Sequence, residues 1–376
     1  MVRVLDLYCG MGGFSLGLSL ALEGVEAHGI DIDLDAVETY NRNLSWLGCH
    51  ADRGDLLTYS HSGEWDIVVG GPPCQPFSTA NTVSCGEKHT LYPTFHKYFD
   101  IVKTIRPKAF IFENVKGLVT RRYAHLLYTQ LNYLAGLYHV KTAVLNAADY
   151  GVPQKRLRLI VVGVRRDLGV SPQFPRKTHA RQPLLQLDGG VYNKWVTVRE
   201  AIGDLVAFPP SEGKVSDTMC LLTGGRIVHV PLTAYQKKHP PLSPDMPGNT
   251  IYSHVAKASR DALIPLDLPS TTVLSDGLIR PHGHHETMSG VYRRLTVREC
   301  LRLQSFPDWW SFPESVPTSK QYKLVGEAVP PILAYRIAVT LGRTIGLPVR
   351  VPPSHEYWRL PYFYRAFADH VGGKGE

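Results

Sequence analysis

Cys74 sits in Gly70-Gly-Pro-Pro-Cys-Gln-Pro-Phe-Ser78, where three prolines and two glycines fix the backbone around a single thiol. A nucleophile needs that rigidity, because a misplacement of about 1 Å can cost on the order of a hundredfold in rate. The bland reading of a lone cysteine is a small buried residue in a turn. Against it, the loop follows the apolar run Asp66–Val69, and α/β proteins keep their sites at the carboxyl ends of such strands. A second run, Phe110-Ile-Phe-Glu-Asn-Val115, delivers Glu113 at its end. Partial desolvation there suits a carboxyl group to proton donation, with a structural salt bridge as the competing reading. In Gln154-Lys-Arg-Leu-Arg158 the alternation places Gln154, Arg156 and Arg158 on one strand face, where guanidinium groups can hold a phosphate or the oxygen of a base.

The fourth constellation is Asp6-Leu-Tyr-Cys-Gly-Met-Gly-Gly-Phe14, a strand turning through glycines into a helix. Such a turn lets a ligand approach the backbone and offers free amides at the helix start. The next strand ends at Gly29-Ile-Asp31, about where an acid meets ribose hydroxyls in dinucleotide-type folds. The Gly-x-Gly-Gly spacing and the lack of a Gly-Lys-Ser/Thr phosphate cradle favour S-adenosylmethionine over NAD or ATP.

Positioning these groups requires alternating strands and helices. Strands are expected at Val2–Leu7, Ala27–Ile32, Asp66–Val69, Ala109–Phe112 and Leu157–Val164, with helices at Phe14–Glu23, Leu34–Leu44, Phe95–Ile105 and Tyr123–Leu134. This pattern indicates an α/β fold, a mainly parallel sheet with helices on both faces. Beyond Arg166 the chain turns loop-rich to about Tyr292, the texture of a second domain after a Pro172–Pro183 linker. Helical spacing returns at Thr296–Gln304 and Ile332–Ile345, before an aromatic tail at Val349–Phe367.

The 376 residues leave room for two domains, and 44% hydrophobic with 20% charged residues excludes wholesale disorder. A net charge of +8 points weakly to a polyanionic partner. No apolar run approaches the roughly 20 residues of a membrane helix, and the start lacks a secretory pattern, so a cytoplasmic location is expected. Six scattered cysteines suggest reduced thiols. Pro281-His-Gly-His-His285 has no Cys-x-x-Cys companion, so no metal site is expected.

Taken in order, the four constellations resemble the DNA (cytosine-5) methyltransferase family. The resemblance continues through Arg294-Leu-Thr-Val-Arg-Glu-Cys-Leu-Arg-Leu-Gln-Ser-Phe-Pro307 and Tyr322-Lys-Leu-Val-Gly-Glu-Ala-Val-Pro-Pro331. It implies a Rossmann-like S-adenosylmethionine-dependent methyltransferase fold. The implied divisions are a catalytic and cofactor-binding domain at 1–185, a target recognition domain at 186–292, a hinge segment at 293–320, and a return to the catalytic domain with a tail at 321–376. Cys74 then matches the thiol that attacks carbon 6 of a flipped cytosine, and Glu113 the acid that contacts ring nitrogen 3. Arg156 matches an arginine near the base oxygen, and Arg158 its support. S-adenosyl-L-methionine is implied at Tyr8, Gly10, Gly12, Gly13, Phe14, Asp31, Ile32, Asp55, Leu56, Pro73, Glu327 and Ala328. DNA contacts are implied at Ser78, Gln154 and Lys155. The loop around Cys74 is expected to lower its thiol pKa.

Three positions depart from the family pattern: Tyr8 stands where phenylalanine is common, Asp31 where glutamate is usual, and Glu327 where asparagine follows the glycine. The last changes hydrogen-bond polarity beside the cofactor. The implied partner is double-stranded DNA, with room for a cognate restriction endonuclease acting separately; a monomer is expected, nucleoid-associated if prokaryotic. The rivals are an RNA cytosine-5 methyltransferase and a catalytically idle DNA-binding regulator, which intact Cys74, Glu113 and Arg156 argue against.

Overall fold

Side chains alternate across a strand, so a strand apolar at every position must be covered on both faces. All four residues of Ile67–Gly70 and six of seven in Ala109–Val115 are buried. The computed structural model describes residues 1–59, 63–77, 86–182, 192–197, 200–201 and 297–350. Of the region between, it describes the backbone of Thr218–Thr223, Arg226–Pro231, Leu263–Ile264, His284–Glu286 and Tyr292–Arg294. Ser78, the side chains of 281–285, most of the target recognition region and the tail beyond 350 lie outside the described residues.

Seven strands form the main sheet: β1 (Val2–Leu7), β2 (Val25–Asp31), β3 (Cys49–Arg53), β4 (Ile67–Gly70), β5 (Ala109–Val115), β6 (Tyr138–Asn146) and β7 (Leu157–Arg165), in the order β3-β2-β1-β4-β5-β7-β6. The first five pair in parallel, and β7 runs antiparallel to both β5 and β6. The order reverses between β1 and β4, so a crevice opens above their carboxyl ends, where the chain leads into the glycine turn and the Cys74 loop.

Helices α1 (Gly13–Ala21) and α2 (Leu34–Leu44) cover one face with Val2, Val4, Ile111 and Val162; α3 (Tyr92–Ile105) and α4 (Ala124–Leu134) cover the other with Leu5, Leu7, Phe110 and Phe112. The late helices α5 (Val297–Leu303), α6 (Thr318–Glu327) and α7 (Pro331–Ile345) return to the first face. Cys300, Leu301, Phe306 and Trp310, inside the segment expected as a hinge, are fully buried in that same core. Contrary to the sequence reading, one described stretch, Thr318–Ile345, is long and apolar enough to cross a membrane by length and composition. Its most apolar window is 78% buried inside the protein, and the helix breaks between Glu327 and Pro331.

Candidate active site

The glycine turn is built for packing as much as for a ligand. A Cβ on Gly13 would collide with the Val329 carbonyl, and one on Gly12 would lie 2.8 Å from the Tyr40 ring. Those two glycines let α1 meet the α6–α7 junction and α2. Gly10 differs: its φ is +53°, and nothing lies within 4 Å of where its Cβ would stand. Its amide donates to Asp31 Oδ2 at 2.9 Å, and Asp31 Oδ1 accepts from the Asp33 amide at 3.0 Å. Burial nevertheless pushes the Asp31 carboxyl above its ordinary range. Ile32 beside it is 62% exposed, an unusual state for isoleucine, and Asp55 caps its own turn by accepting from the Leu57 amide at 2.9 Å.

Tyr8 completes this rim. Its hydroxyl donates to the Thr94 carbonyl of α3 at 2.9 Å, a bond phenylalanine could not make, which accounts for the departure at this position. Burial and then the Asp55 and Asp31 carboxylates push its phenol up. The open space at Gly10, the acid at the end of β2 and the exposed Ile32 fit a ribose and an apolar ring. Two expected contacts lie deeper: Phe14, 4% exposed, belongs to the α1 core, and the Leu56 side chain, 3% exposed, to the opposite one. They support the rim from beneath.

Cys74 follows β4 and is half-buried, as is Pro73 before it. Asn114, fully buried, donates from Nδ2 to the Pro72 carbonyl at 3.1 Å and ties the loop to the end of β5. A Cβ on Gly71 would lie 2.9 Å from Glu113 Oε2, so the loop rests directly on that carboxylate. At the loop's far end the Phe77 amide donates to the Cys74 carbonyl at 3.0 Å, and the Phe77 ring is fully buried edge-on against Phe95 and Tyr123.

Glu113 is 8% exposed, and its Oε1 pairs with Arg158 Nε at 2.8 Å. Register explains the meeting: β5 and β7 run antiparallel with Val115 opposite Arg158 and Glu113 opposite Ile160. The expected lowering of the Cys74 pKa is overturned. Burial pushes the thiol up, and Glu113 and Glu327 push it further, against the pull of Arg158 and Arg156.

Only Arg158 of the three alternating side chains meets Glu113 in an ion pair. Arg156 is 1% exposed and donates from Nη2 to the Gly326 and Ala328 carbonyls, at 2.9 and 3.1 Å. Gln154, expected at DNA, is fully buried and donates from Nε2 to the Leu303 carbonyl at 3.3 Å and to Gln304 Oε1. This is a correction: the alternation was sound, but late segments of the chain cover the face it names. Lys155 is half-exposed, its ammonium 5.6 Å from the Trp195 ring.

Gln304, overlooked in the sequence, completes this brace. Its Nε2 donates to the Val325 and Ala328 carbonyls, both at 2.9 Å, so it and Arg156 hold the backbone on either side of Glu327. Its only sequence signal was a polar residue closing the amphipathic run of α5. Gln304→Ala should lower stability by about 2–4 kcal/mol, because buried carbonyls lose their donors. Urea unfolding checks this; a change below about 0.5 kcal/mol would show that the brace carries no strain-free bond worth keeping.

The family model described as C-5 cytosine-specific DNA methylase matches residues 2–343. The chain is 30% identical over 380 residues to Type II methyltransferase M.BspRI of Lysinibacillus sphaericus, covering 91% of this chain and 81% of that one. It is 32% identical over 363 residues to Type II methyltransferase M.MthTI of Methanothermobacter thermautotrophicus, covering 89% and 95%. Among solved structures, a DNA modification methyltransferase encoded within an E. coli prophage superposes with a TM-score of 0.65 at 22% identity, over 92% of this chain and 100% of that one. The S. pombe Dnmt2 methyltransferase superposes with a TM-score of 0.58 at 17% identity, over 92% and 99%. These two likenesses concern the fold.

Proposed function

This chain belongs to the C-5 cytosine-specific DNA methylase family, and from that membership we infer the role of each group in the crevice. It is a DNA (cytosine-5) methyltransferase. The observation that carries the assignment of roles is the meeting of Cys74, Glu113 and Arg158 at the carboxyl ends of β4 and β5. The target carbon is stacked inside duplex DNA, so the cytosine must be flipped into the crevice at a cost of about a few kcal/mol.

The Cys74 thiolate adds to carbon 6, which makes carbon 5 nucleophilic. Glu113 supports ring nitrogen 3 as charge develops there, and Arg158 both orients Glu113 and faces the base oxygen. Arg156 works at one remove, holding the segment that carries Glu327. Tyr8, Gly10, Asp31, Ile32 and Asp55 would hold S-adenosyl-L-methionine, which would supply an activated methyl group there. Loss of the carbon 5 proton then eliminates Cys74 and frees the methylated base.

Expression in a methylation-free host followed by bisulfite sequencing tests this reading and yields the recognition sequence. Protection of transfer RNA but not of duplex DNA would transfer the activity to RNA. A restriction endonuclease acting separately on the same sequence and a monomeric, cytoplasmic enzyme fit this reading.

Lys155 supplies a phosphate contact. Arg298 and Arg302 are committed elsewhere, the first to the Trp310 carbonyl at 2.9 Å and the second to Asp308 by two bonds of 2.7 and 2.6 Å. Because phosphate contacts release counterions, DNA affinity should fall steeply between about 50 and 200 mM salt. Equal dissociation constants at the two concentrations would contradict electrostatic docking.

A further inference from the structure

Tyr8 is held in a conformation that its side chain disfavours. Its φ of +57° lies in the left-handed region, where a side chain crowds the carbonyl that follows. Such strain persists only where surrounding contacts over-determine the residue. Two bonds do so here. The amide of Cys9, next along the chain, donates to the Ile30 carbonyl at 3.1 Å, and the Tyr8 hydroxyl donates to the Thr94 carbonyl at 2.9 Å.

The second bond joins the cofactor rim to the loop that carries the thiol. β1 and β4 pair in parallel with Leu7 opposite Gly70, so Tyr8 and the Cys74 loop leave the sheet side by side. That pairing fixes the near end of the loop. Its far end is Phe77, whose amide donates to the Cys74 carbonyl. The buried Phe77 ring meets Phe95 at 5.1 Å and Tyr92 at 6.3 Å between centroids. Tyr92, Thr94 and Phe95 all belong to the first turn of α3. The hydroxyl therefore grips the same helical turn that holds the far end of the loop. Burial, reinforced by Asp55 and Asp31, keeps the phenol protonated, so near neutral pH it remains a donor.

We propose that Tyr8 is a positioning residue for Cys74: through its hydroxyl the cofactor rim sets the first turn of α3, and with it the placement of the thiol relative to the methyl donor. The inference rests on the reading of Cys74 and of the cofactor rim above. The ring alone can serve the cofactor. The hydroxyl is committed to α3 and serves the loop.

The test is Tyr8→Phe, which keeps the ring and removes this one bond. Two rates should move in opposite directions. At saturating S-adenosylmethionine, formation of the trapped complex on duplex DNA carrying 5-fluorocytosine at the target should slow about threefold to thirtyfold, part of what a displacement of about 1 Å can cost. Alkylation of Cys74 by N-ethylmaleimide, followed by peptide mass in the protein without cofactor or DNA, should instead quicken several-fold. The buried Cys9, Cys49 and Cys300 should keep their wild-type rates, whereas general destabilisation would quicken those thiols as well and overturn the inference. The dissociation constant for S-adenosylmethionine by calorimetry should stay near the wild-type value. Phe77→Leu, which removes the ring contacts at the other end, should give the same pair of changes, so a Tyr8→Phe protein that fails to fold still leaves a decisive measurement. Wild-type rates of both trapping and alkylation in either folded variant overturn the inference alone. Weakened cofactor binding with normal trapping at saturation assigns the hydroxyl to the cofactor and overturns it too. A wild-type protein that binds no S-adenosylmethionine, or traps no DNA, overturns the underlying reading together with it.

Discussion

Duplex DNA carrying 5-fluorocytosine at the target should be trapped by this protein as a denaturant-resistant complex that requires S-adenosylmethionine. Fluorine cannot leave carbon 5 as a proton, so the bond between Cys74 and carbon 6 persists after methyl transfer. Cys74→Ser should abolish the complex and turnover together, because a hydroxyl is a far poorer nucleophile near neutral pH. DNA binding should largely remain.

The site adds a pH dependence to this result. Burial holds the Cys74 thiol above its ordinary value, so near neutrality the thiolate is a minor fraction. Adduct formation should accelerate as pH rises until the thiol is ionised. A rate flat between pH 7 and 9 would contradict a thiol ionising in that way. Peptide mapping decides the attachment point: a cross-link at Cys9, Cys49 or Cys85, or full activity in Cys74→Ser, sinks the mechanism.

Glu113→Gln should slow adduct formation by about 10²- to 10⁴-fold, the usual worth of a positioned acid–base group. The amide oxygen can still accept from Arg158, so the pairing across β5 and β7 and the loop resting on it should survive. That separates chemistry from scaffolding, because cofactor affinity by calorimetry should stay near the wild-type value while the rapid-quench rate collapses. A Glu113→Gln protein that forms the trapped complex at the wild-type rate would return Glu113 to a purely structural ion pair with Arg158.

Much of this was legible in the residues. Leu34–Leu44 and Val2–Leu7 are the same in sequence pattern and structure, since a period of 3.6 or an unbroken apolar run reports directly on burial. The Cys74 loop and Glu113 were legible because each ends such a run. Strands Cys49–Arg53 and Tyr138–Asn146 were missed: both are edge strands with several solvent-facing polar residues, so no apolar run announces them.

The destinations of polar side chains were a different matter. Gln154, Arg156 and Arg158 alternate alike, yet the first two are buried by carbonyls 149 to 172 residues away, and the third meets Glu113. Gly12 and Gly13 read as ligand glycines, and the approach of Tyr40 and Val329 explains them equally well. Local sequence sets which side of a strand or turn a group leaves by, because backbone sterics act over a few residues. What covers that side is decided by chain returning from far along the sequence. That packing alone turned Arg156 into a brace and Arg158 into the partner of Glu113.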